Sequence, residues 1–138
     1  MTVSSFTIVP IGWVASPLVD RSAAPRQGDE GAPDSVLVFE EAVTPGLAGL
    51  APAEEFLVLT WLHQARRDVL KTNPRSDPSR PEEGVFNTRS PDRPNPIGLH
   101  RVRVLAVDGN RVRVANLEAI DGTPVLDVKP VLGDISDR

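Results

Sequence analysis

The residues best suited to chemistry stand in one stretch, Gly84 to Leu99, which reads GVFNTRSPDRPNPIGL. Its sixteen residues include three prolines, two glycines and two arginines. This density of proline excludes a core helix or strand, because each proline fixes φ and removes a backbone donor. Strand-like residues flank the stretch, so the sequence predicts a rigid loop between strands, called here the proline-rich loop (residues 84–96). Such a loop is either a stiff connection or a support that holds polar groups against a ligand.

A second stretch, DGTPVLDVKP, runs from Asp121 to Pro130 and offers candidates for a catalytic role in Asp121, Asp127 and Lys129. Each also has a purely structural explanation. Asp121 precedes a glycine, which is the usual composition of a turn. Asp127 and Lys129 are two residues apart, so on a strand they share a face and can form an ion pair. The sequence therefore assigns no catalytic residue.

Two shorter groups of polar residues add candidates for binding. Pro25, Arg26 and Gln27 lie in the polar segment 20–34, which predicts a long loop, and His63 and Gln64 close an apolar run. Long loops in compact domains are usually functional or disordered. Alternatively, these are ordinary loop residues and a histidine at the edge of the core.

Taken together, these segments resemble the TsaA-like family, the tRNA methyltransferase O family of S-adenosylmethionine-dependent enzymes. The stretch from Gly84 to Leu99 resembles the family signature, and Asp121 to Pro130 resembles its pattern DGTPVLDIKPY. The motifs stand in the family's order and span nearly the whole chain. The resemblance implies a β-barrel, S-adenosylmethionine as cofactor, a homodimer, and methylation of N6-threonylcarbamoyladenosine on its exocyclic amine, beside the tRNA anticodon.

The resemblance also implies where the cofactor binds. Arg89 can form a bidentate pair with the carboxylate of its methionine part. Asn95 stands between two prolines that pre-organise its backbone, and Ile97 and Leu99 can flank a ring. The full set of expected cofactor contacts is Pro25, Arg26, Gln27, His63, Gln64, Arg89, Asn95, Ile97, Leu99, Asn116, Leu117 and Glu118.

The chain departs from the family pattern at several positions. Val131 stands where the family usually has tyrosine, Glu118 where aspartate is usual, and His100 where serine is common. Glu54 and Glu55 replace a common Ser-His pair. These differences leave the methyl acceptor open between tRNA and a small molecule on the same scaffold. A third alternative is a non-catalytic interaction module.

Length and composition set the remaining limits. A chain of 138 residues with 40% hydrophobic residues predicts one domain over residues 1–138. Cysteine is absent and only two histidines occur, so we expect no disulfide, no metal site and a cytoplasmic protein. No signal peptide is expected, because the N-terminus MTVSSFTIVP has no basic region and no long apolar region. No membrane contact is expected, because no apolar run approaches the roughly 20 residues that cross a bilayer.

The distribution of charge along the chain indicates which classes of partner the protein can bind. The net charge of −4 argues against unspecific binding to nucleic acid. However, the segment from Arg66 to Arg113 holds eleven basic and six acidic residues. This basic stretch is either a surface for phosphates or a solvated face.

The elements that must position these residues are mostly short strands. Strands are predicted at 6–14, 35–41, 55–63, 97–107, 111–115 and 125–129. The run 55–63 is almost continuously apolar, so it predicts a strand buried on both faces. Residues 44–50 predict a turn or short helical piece, and a short helix from Leu62 is an open alternative. The pattern indicates an all-β sandwich or barrel. Together with the barrel that the resemblance implies, we expect an all-β, small single-domain β-barrel with long functional loops and little helix.

One hairpin is predicted in detail. Residues 100–107 and 111–115 alternate between arginine and valine, and Asp108-Gly109-Asn110 separates them. A three-residue turn would pair Val104 with Val114 and Ala106 with Val112, which keeps apolar side chains on one face. The other face would carry Arg101, Arg103, Arg111 and Arg113.

Overall fold

The computed structural model describes residues 4–19 and 31–132, and these form a mostly β structure. No helix among them is long and apolar enough to cross a membrane. Within these ranges the helical segments are 3-10 helices at Glu41–Leu47, Pro74–Ser76 and Val85–Asn87. The strands are β1 (Gly12–Ala15), β2 (Ser35–Phe39), β3 (Glu55–Trp61), β4 (Lys71–Thr72), β5 (Glu83–Gly84), β6 (Ile97–Asp108), β7 (Arg111–Ala115) and β8 (Pro124–Pro130).

Six of these strands form one antiparallel sheet in the order β1-β2-β7-β6-β3-β8. Because β8 also pairs with β1, each of the six strands has two neighbours. The short strands β4 and β5 pair only with each other, as a ribbon beside the main sheet. A mostly β structure with little helix was expected and is confirmed.

The core lies on the inner face of this sheet and follows the alternation of its strands. In β6, Val102 and Val104 are buried while Arg101 and Arg103 are exposed. The inward side chains of the other strands meet them, because residues two apart share a face. The buried cluster comprises Val14, Leu37, Phe39, Phe56, Val58, Val102, Val104, Val112, Val114, Leu117, Ala119 and Val125.

The prediction that β3 is buried on both faces is wrong. Phe56, Val58 and Thr60 are buried, whereas Leu57, Leu59 and Trp61 are only half-buried. One layer of sheet supplies a single shared interior, so the outer face of β3 has only partial cover. A continuous apolar run therefore does not distinguish a two-sided strand from a strand with an apolar outer face.

The turn of the β6–β7 hairpin also differs from the prediction. β6 continues to Asp108 and β7 begins at Arg111, so the turn has two residues, Gly109 and Asn110. Gly109 has φ 59°, the positive value that tight two-residue turns require. The predicted three-residue turn is therefore wrong.

The longer turn was predicted because it keeps apolar side chains on one face of the hairpin. A bulge within β6 achieves the same with a turn of two residues. Val104 pairs with Val114, as predicted, but Ala106 pairs with Arg113 rather than with Val112. The register shifts between Val104 and Ala106, so the extra residue lies in the strand and not in the turn. The bulge keeps Val102 and Val104 of β6 on the core face with Val112 and Val114 of β7.

Smaller differences concern element ends. The first strand begins only at Gly12, and Phe6, Ile8 and Val9 before it are exposed. The predicted short helical piece near residue 44 is a 3-10 helix. Residues 62–70 form turns and bends, so the open alternative of a helix there is excluded.

Candidate ligand-binding cleft

A cleft of about 1330 Å³ opens where β3 ends and β6 begins. It is larger than the 300–1,000 Å³ typical of small-molecule sites, so it has room for a cofactor and part of a second molecule. Its walls are the proline-rich loop, the β4–β5 ribbon, the start of β6 and the segment after β7. Among the lining residues are His63, Gln64, Arg75, Arg80, Arg89, Ile97, Leu99, His100, Arg101, Asn116 and Glu118.

The proline-rich loop forms one wall and is wound around the side chain of Arg93. The Arg93 guanidinium donates to the carbonyl of Ser90 at 2.9 Å and also to the carbonyls of Val85 and Thr88. Val85 is buried, and it begins the 3-10 helix Val85–Asn87. A planar fork with several donors suits this task, because the carbonyls of Ser90 and Thr88 have no partner in a helix or strand.

The same loop is fastened to the turn that follows β3. Arg67 donates to the carbonyl of Pro94 at 2.6 Å and to Oδ1 of Asn95 at 2.9 Å. Its guanidinium also lies 5.1 Å from the ring centre of Trp61, a cation–π contact. Arg66 exchanges backbone contacts with Asp92 and Arg93: its N–H donates to Oδ1 of Asp92 at 2.8 Å, and its carbonyl accepts from the Arg93 N–H at 3.0 Å.

Arg89 differs from the other arginines of this wall. It lines the cleft, its side chain is exposed, and it has no hydrogen-bond or ion-pair partner among residues 4–19 and 31–132. An unpaired guanidinium in a cleft can bind a carboxylate or phosphate through two parallel hydrogen bonds. Arg89 is therefore the cation of this wall that is available for a ligand.

The strand side of the cleft combines apolar and polar groups. Ile97 and Leu99 of β6 are 42% and 43% exposed, so apolar surface is open beside the cleft. Beneath it, His100 accepts or donates a 2.7 Å hydrogen bond with Oγ1 of Thr60 and contacts Oε1 of Glu118 at 2.6 Å. Asn116 also lines the cleft and has φ 70°, a value that asparagine tolerates better than most residues.

Charge near the cleft is partly neutralised. Arg101 donates to Glu55 at 2.8 Å, and this hydrogen bond holds the pKa of the Glu55 carboxyl below its usual value. Arg75 and Arg80 lie in the segment between β4 and β5 and line the same cleft. Apart from Arg101, the arginines that line the cleft lie on its loops and not on the sheet.

The structure brings together many of the predicted binding residues but not all of them. His63, Gln64, Arg89, Ile97, Leu99, Asn116 and Glu118 all line the cleft. Leu117 lies in the core with 0% exposure, and the amide oxygen of Asn95 accepts from Arg67 instead of facing the cleft. Pro25, Arg26 and Gln27 lie outside the described residues.

The three weak catalytic candidates have structural contacts and do not line the cleft. Asp121 accepts from the backbone N–H of Ser16 at 3.0 Å, so it fixes the chain after β1. Lys129 and Asp127 lie 3.3 Å apart, as the ion-pair alternative predicted. The side chain of Asp127 also accepts from the backbone N–H of Val128.

Sequence reasoning missed several residues that shape the cleft. Arg67 carries no motif signal, since its partners Pro94 and Asn95 are 27 and 28 residues away. His100 stood out only as a departure from the family pattern. Thr60 lay in an apolar run, where a polar residue at a buried position was the one available sign that a partner is needed.

Comparison with known proteins shows which family this chain is similar to. The model of the tRNA-methyltransferase O N-terminal domain matches residues 13–137. A protein of Methanothermobacter thermautotrophicus described as a probable S-adenosyl-L-methionine-binding protein is 43% identical over 128 residues, which are 93% of this chain and 91% of the relative. An S-adenosyl-L-methionine-binding protein of Archaeoglobus fulgidus is 44% identical over 121 residues, or 87% and 85% of the two chains.

A solved structure is also similar. TrmO from Pseudomonas aeruginosa superposes with a TM-score of 0.75 at 28% identity, over 99% of this chain and 61% of the solved one. The chain thus spans less than two thirds of that TrmO, whereas it covers most of the two archaeal proteins.

Proposed function

Because this chain belongs to the tRNA-methyltransferase O family, we propose that it methylates the exocyclic amine of N6-threonylcarbamoyladenosine beside the tRNA anticodon. The coarser part rests on the family itself: a member of it is an S-adenosylmethionine-dependent methyltransferase. The choice of tRNA as the methyl acceptor goes beyond the family assignment, and with it we propose that the protein acts in the cytoplasm. We further propose that residues 1–138 form one β-barrel domain and that the protein is a homodimer.

One observation carries the assignment of the cofactor to this cleft. An exposed guanidinium without a partner in the described residues, Arg89, shares the cleft with the open apolar side chains of Ile97 and Leu99. A zwitterionic amino acid joined to an adenine ring needs this combination of a charged contact and an apolar slot. The residues present therefore fit S-adenosylmethionine.

The residues of the cleft would divide the binding between them. We expect Arg89 to pair with the carboxylate and Ile97 with Leu99 to flank the adenine, with Pro25, Arg26 and Gln27 as proposed further contacts. His63, Gln64 and Asn116 offer polar groups for the remaining hydroxyl and amino groups. S-adenosylmethionine, when bound, supplies an electrophilic methyl group on a sulfonium.

The chain's contribution to methyl transfer is positioning. Arg67 and Arg93 hold the loop that carries Arg89, so the groups that bind the cofactor are set before it arrives. Holding two reactants in line and excluding water can supply much of the acceleration of a displacement reaction. Asp121, Asp127 and Lys129 have other contacts, and we assign no proton acceptor.

The acceptor side of the cleft is basic, which supports a phosphate-bearing partner. Arg80 is exposed, lines the cleft and makes no side-chain hydrogen bond or ion pair within the described parts of the chain, although its charge acts on nearby Asp77. Arg75 lines the same rim. A tRNA backbone would neutralise such side chains, and its binding would then weaken steeply with salt.

The experiment is turnover with labelled S-adenosylmethionine and tRNA that carries the threonylcarbamoyl group. We expect methyl incorporation, which Arg80→Glu lowers at least fivefold while cofactor affinity is unchanged. Arg111→Glu is the matched control, because this arginine lies on the outer face of the hairpin and does not line the cleft. No incorporation by a protein that binds the cofactor would overturn the tRNA acceptor.

A small-molecule acceptor is the second candidate. The ion pair of Arg101 with Glu55 favours it, because it removes one of the positive charges that a tRNA contact would use. Incorporation into a small-molecule extract but not into modified tRNA would select this candidate. Sedimentation at micromolar concentration tests the homodimer, and a monomer of about 15 kDa would contradict it.

A further inference from the structure

A chain of three hydrogen-bonded side chains lies under the strand side of the cleft. Thr60 comes from β3, His100 from β6 and Glu118 from the segment after β7. The Thr60 Oγ1 to His100 Nε2 distance is 2.7 Å, and the His100 Nδ1 to Glu118 Oε1 distance is 2.6 Å. Thr60 is 0% exposed, His100 is 4% exposed and the Glu118 side chain is 17% exposed. The three polar side chains therefore form a continuous path from the buried core to a partly exposed carboxylate at the cleft.

The donors along this chain follow from elementary chemistry. An ionised carboxylate only accepts hydrogen bonds, so Nδ1 of His100 must carry the proton that it shares with Glu118. The other ring nitrogen then bonds to the hydroxyl of Thr60. Because both nitrogens are engaged, His100 has none left for a ligand, and any effect it has on a ligand must pass through Glu118.

The backbone at Gly98 leaves room for the side chains of Thr60 and His100. A side chain at Gly98 would place its Cβ 2.4 Å from Oγ1 of Thr60 and 2.6 Å from Nε2 of His100. Real Cβ atoms do not approach other atoms so closely. The glycine two residues before His100 is therefore required by the same hydrogen bonds.

We propose that His100 is a positioning residue that fixes the carboxylate of Glu118 so that it accepts hydrogen bonds from the cofactor in the cleft. A carboxylate has about four acceptor sites, and the contact with His100 uses one of them. A glutamate has three side-chain torsions, and the buried imidazole restricts them before the ligand binds. Pre-organisation of this kind raises affinity because less side-chain entropy is lost on binding. The inference rests on the proposed binding of S-adenosylmethionine in this cleft.

Two substitutions separate this role from simple packing. In His100→Asn the amide nitrogen can occupy the place of Nδ1 and still donate to Glu118. In His100→Gln the amide reaches the place of Nε2 instead, so the contact with Thr60 is kept and the contact with Glu118 is lost. Calorimetry with S-adenosylhomocysteine should show roughly tenfold weaker binding for His100→Gln and less than threefold weaker binding for His100→Asn.

A double-mutant cycle gives the second readout. On a Glu118→Ala background, His100→Gln should weaken binding no further, because the group through which His100 acts is gone. Thermal unfolding of each variant identifies any that fails to fold, and His100→Asn then decides alone: tenfold weaker binding by a folded Asn variant would overturn the proposal.

The outcomes also distinguish this inference from the proposed function. If the wild-type protein does not bind S-adenosylhomocysteine or S-adenosylmethionine, the cofactor assignment fails. If the wild type binds and the Gln and Asn variants bind equally well, only the role of His100 is overturned. An equal loss in both variants, with or without Glu118, would likewise contradict a positioning role.

Discussion

The two walls of the cleft are held in different ways. On the loop wall, the side chains of Arg67 and Arg93 bond to backbone carbonyls, and Arg89 alone is available to a ligand. On the strand wall, β3 and β6 set the positions of Thr60 and His100, and His100 bonds to Thr60 and to Glu118 of the segment after β7. A wall without ladder hydrogen bonds needs side chains to satisfy its carbonyls, whereas a wall of strands can use its side chains for polar chemistry.

Arg93 is the residue on which the loop wall most depends. In Arg93→Ala, the carbonyls of Thr88 and Ser90 lose their donor, whereas the carbonyl of Val85 still accepts from Thr88. Each unsatisfied group costs about 1–3 kcal/mol unless the loop opens to water. We expect cofactor affinity in calorimetry to fall at least about a hundredfold, which is roughly 3 kcal/mol, while circular dichroism of the strands is unchanged.

Arg93→Lys is the control for charge alone. A lysine keeps the positive charge but lacks the planar fork, so it should restore little of the affinity. Full recovery with lysine would show that the fork is not what holds the loop wall.

Arg89 should matter to the ligand and not to the fold. In Arg89→Ala, one charge-assisted contact worth roughly 1.5–3 kcal/mol is lost, so cofactor affinity should fall about tenfold to a hundredfold. Urea unfolding should be unchanged, because Arg89 has no partner in the described residues. Unchanged affinity in the folded variant would remove Arg89 from the site.

Gly98 tests the strand wall through stability. In Gly98→Ala the new methyl group meets Thr60 and His100 closer than 3 Å, and overpacking of this kind costs about 1–3 kcal/mol. We expect a lower urea midpoint with an unchanged slope. Gly46→Ala is the matched control, since nothing lies within 4 Å of the new atom there.

The smallest expected effect concerns the ion pair of Glu55 and Arg101 at the edge of the cleft. The hydrogen bond and charge of Arg101 lower the pKa of Glu55, so the pair stabilises the fold above the ordinary pKa of glutamate. That contribution is lost as the pH falls through the lowered pKa. In Arg101→Ala the Glu55 pKa should rise in an NMR titration, with little change in stability because the pair is exposed.

Arg103→Ala serves as its comparison. Arg103 acts on Glu55 only through its charge and has the smallest influence of the groups around that carboxyl. Its removal should therefore raise the Glu55 pKa less than removal of Arg101. An equal rise in both variants would contradict the hydrogen bond as the main cause.

Local patterns predicted the parts of the fold that depend on neighbours in sequence. The alternation of arginine and valine placed Val102 and Val104 inward and Arg101 and Arg103 outward, and the pairing of Val104 with Val114 is confirmed. The bulge in β6 could not be predicted, because a turn and a bulge can each absorb the same extra residue.

The amino-acid sequence by itself determined the mostly β class, the inward and outward faces of the β6–β7 hairpin and, through two long motifs, the family. Those properties depend on periodicity and on residue types, which are local. Only the tertiary structure decided which polar residues serve a ligand and which serve the fold. Arg89 and Arg93 have the same chemistry four residues apart, but Arg93 meets three carbonyls that the folded loop brings together, and Arg89 is left for the cleft. Contacts such as Thr60 with His100, 40 residues apart, exist only once strands pair, because pairing sets neighbours that the order of residues does not.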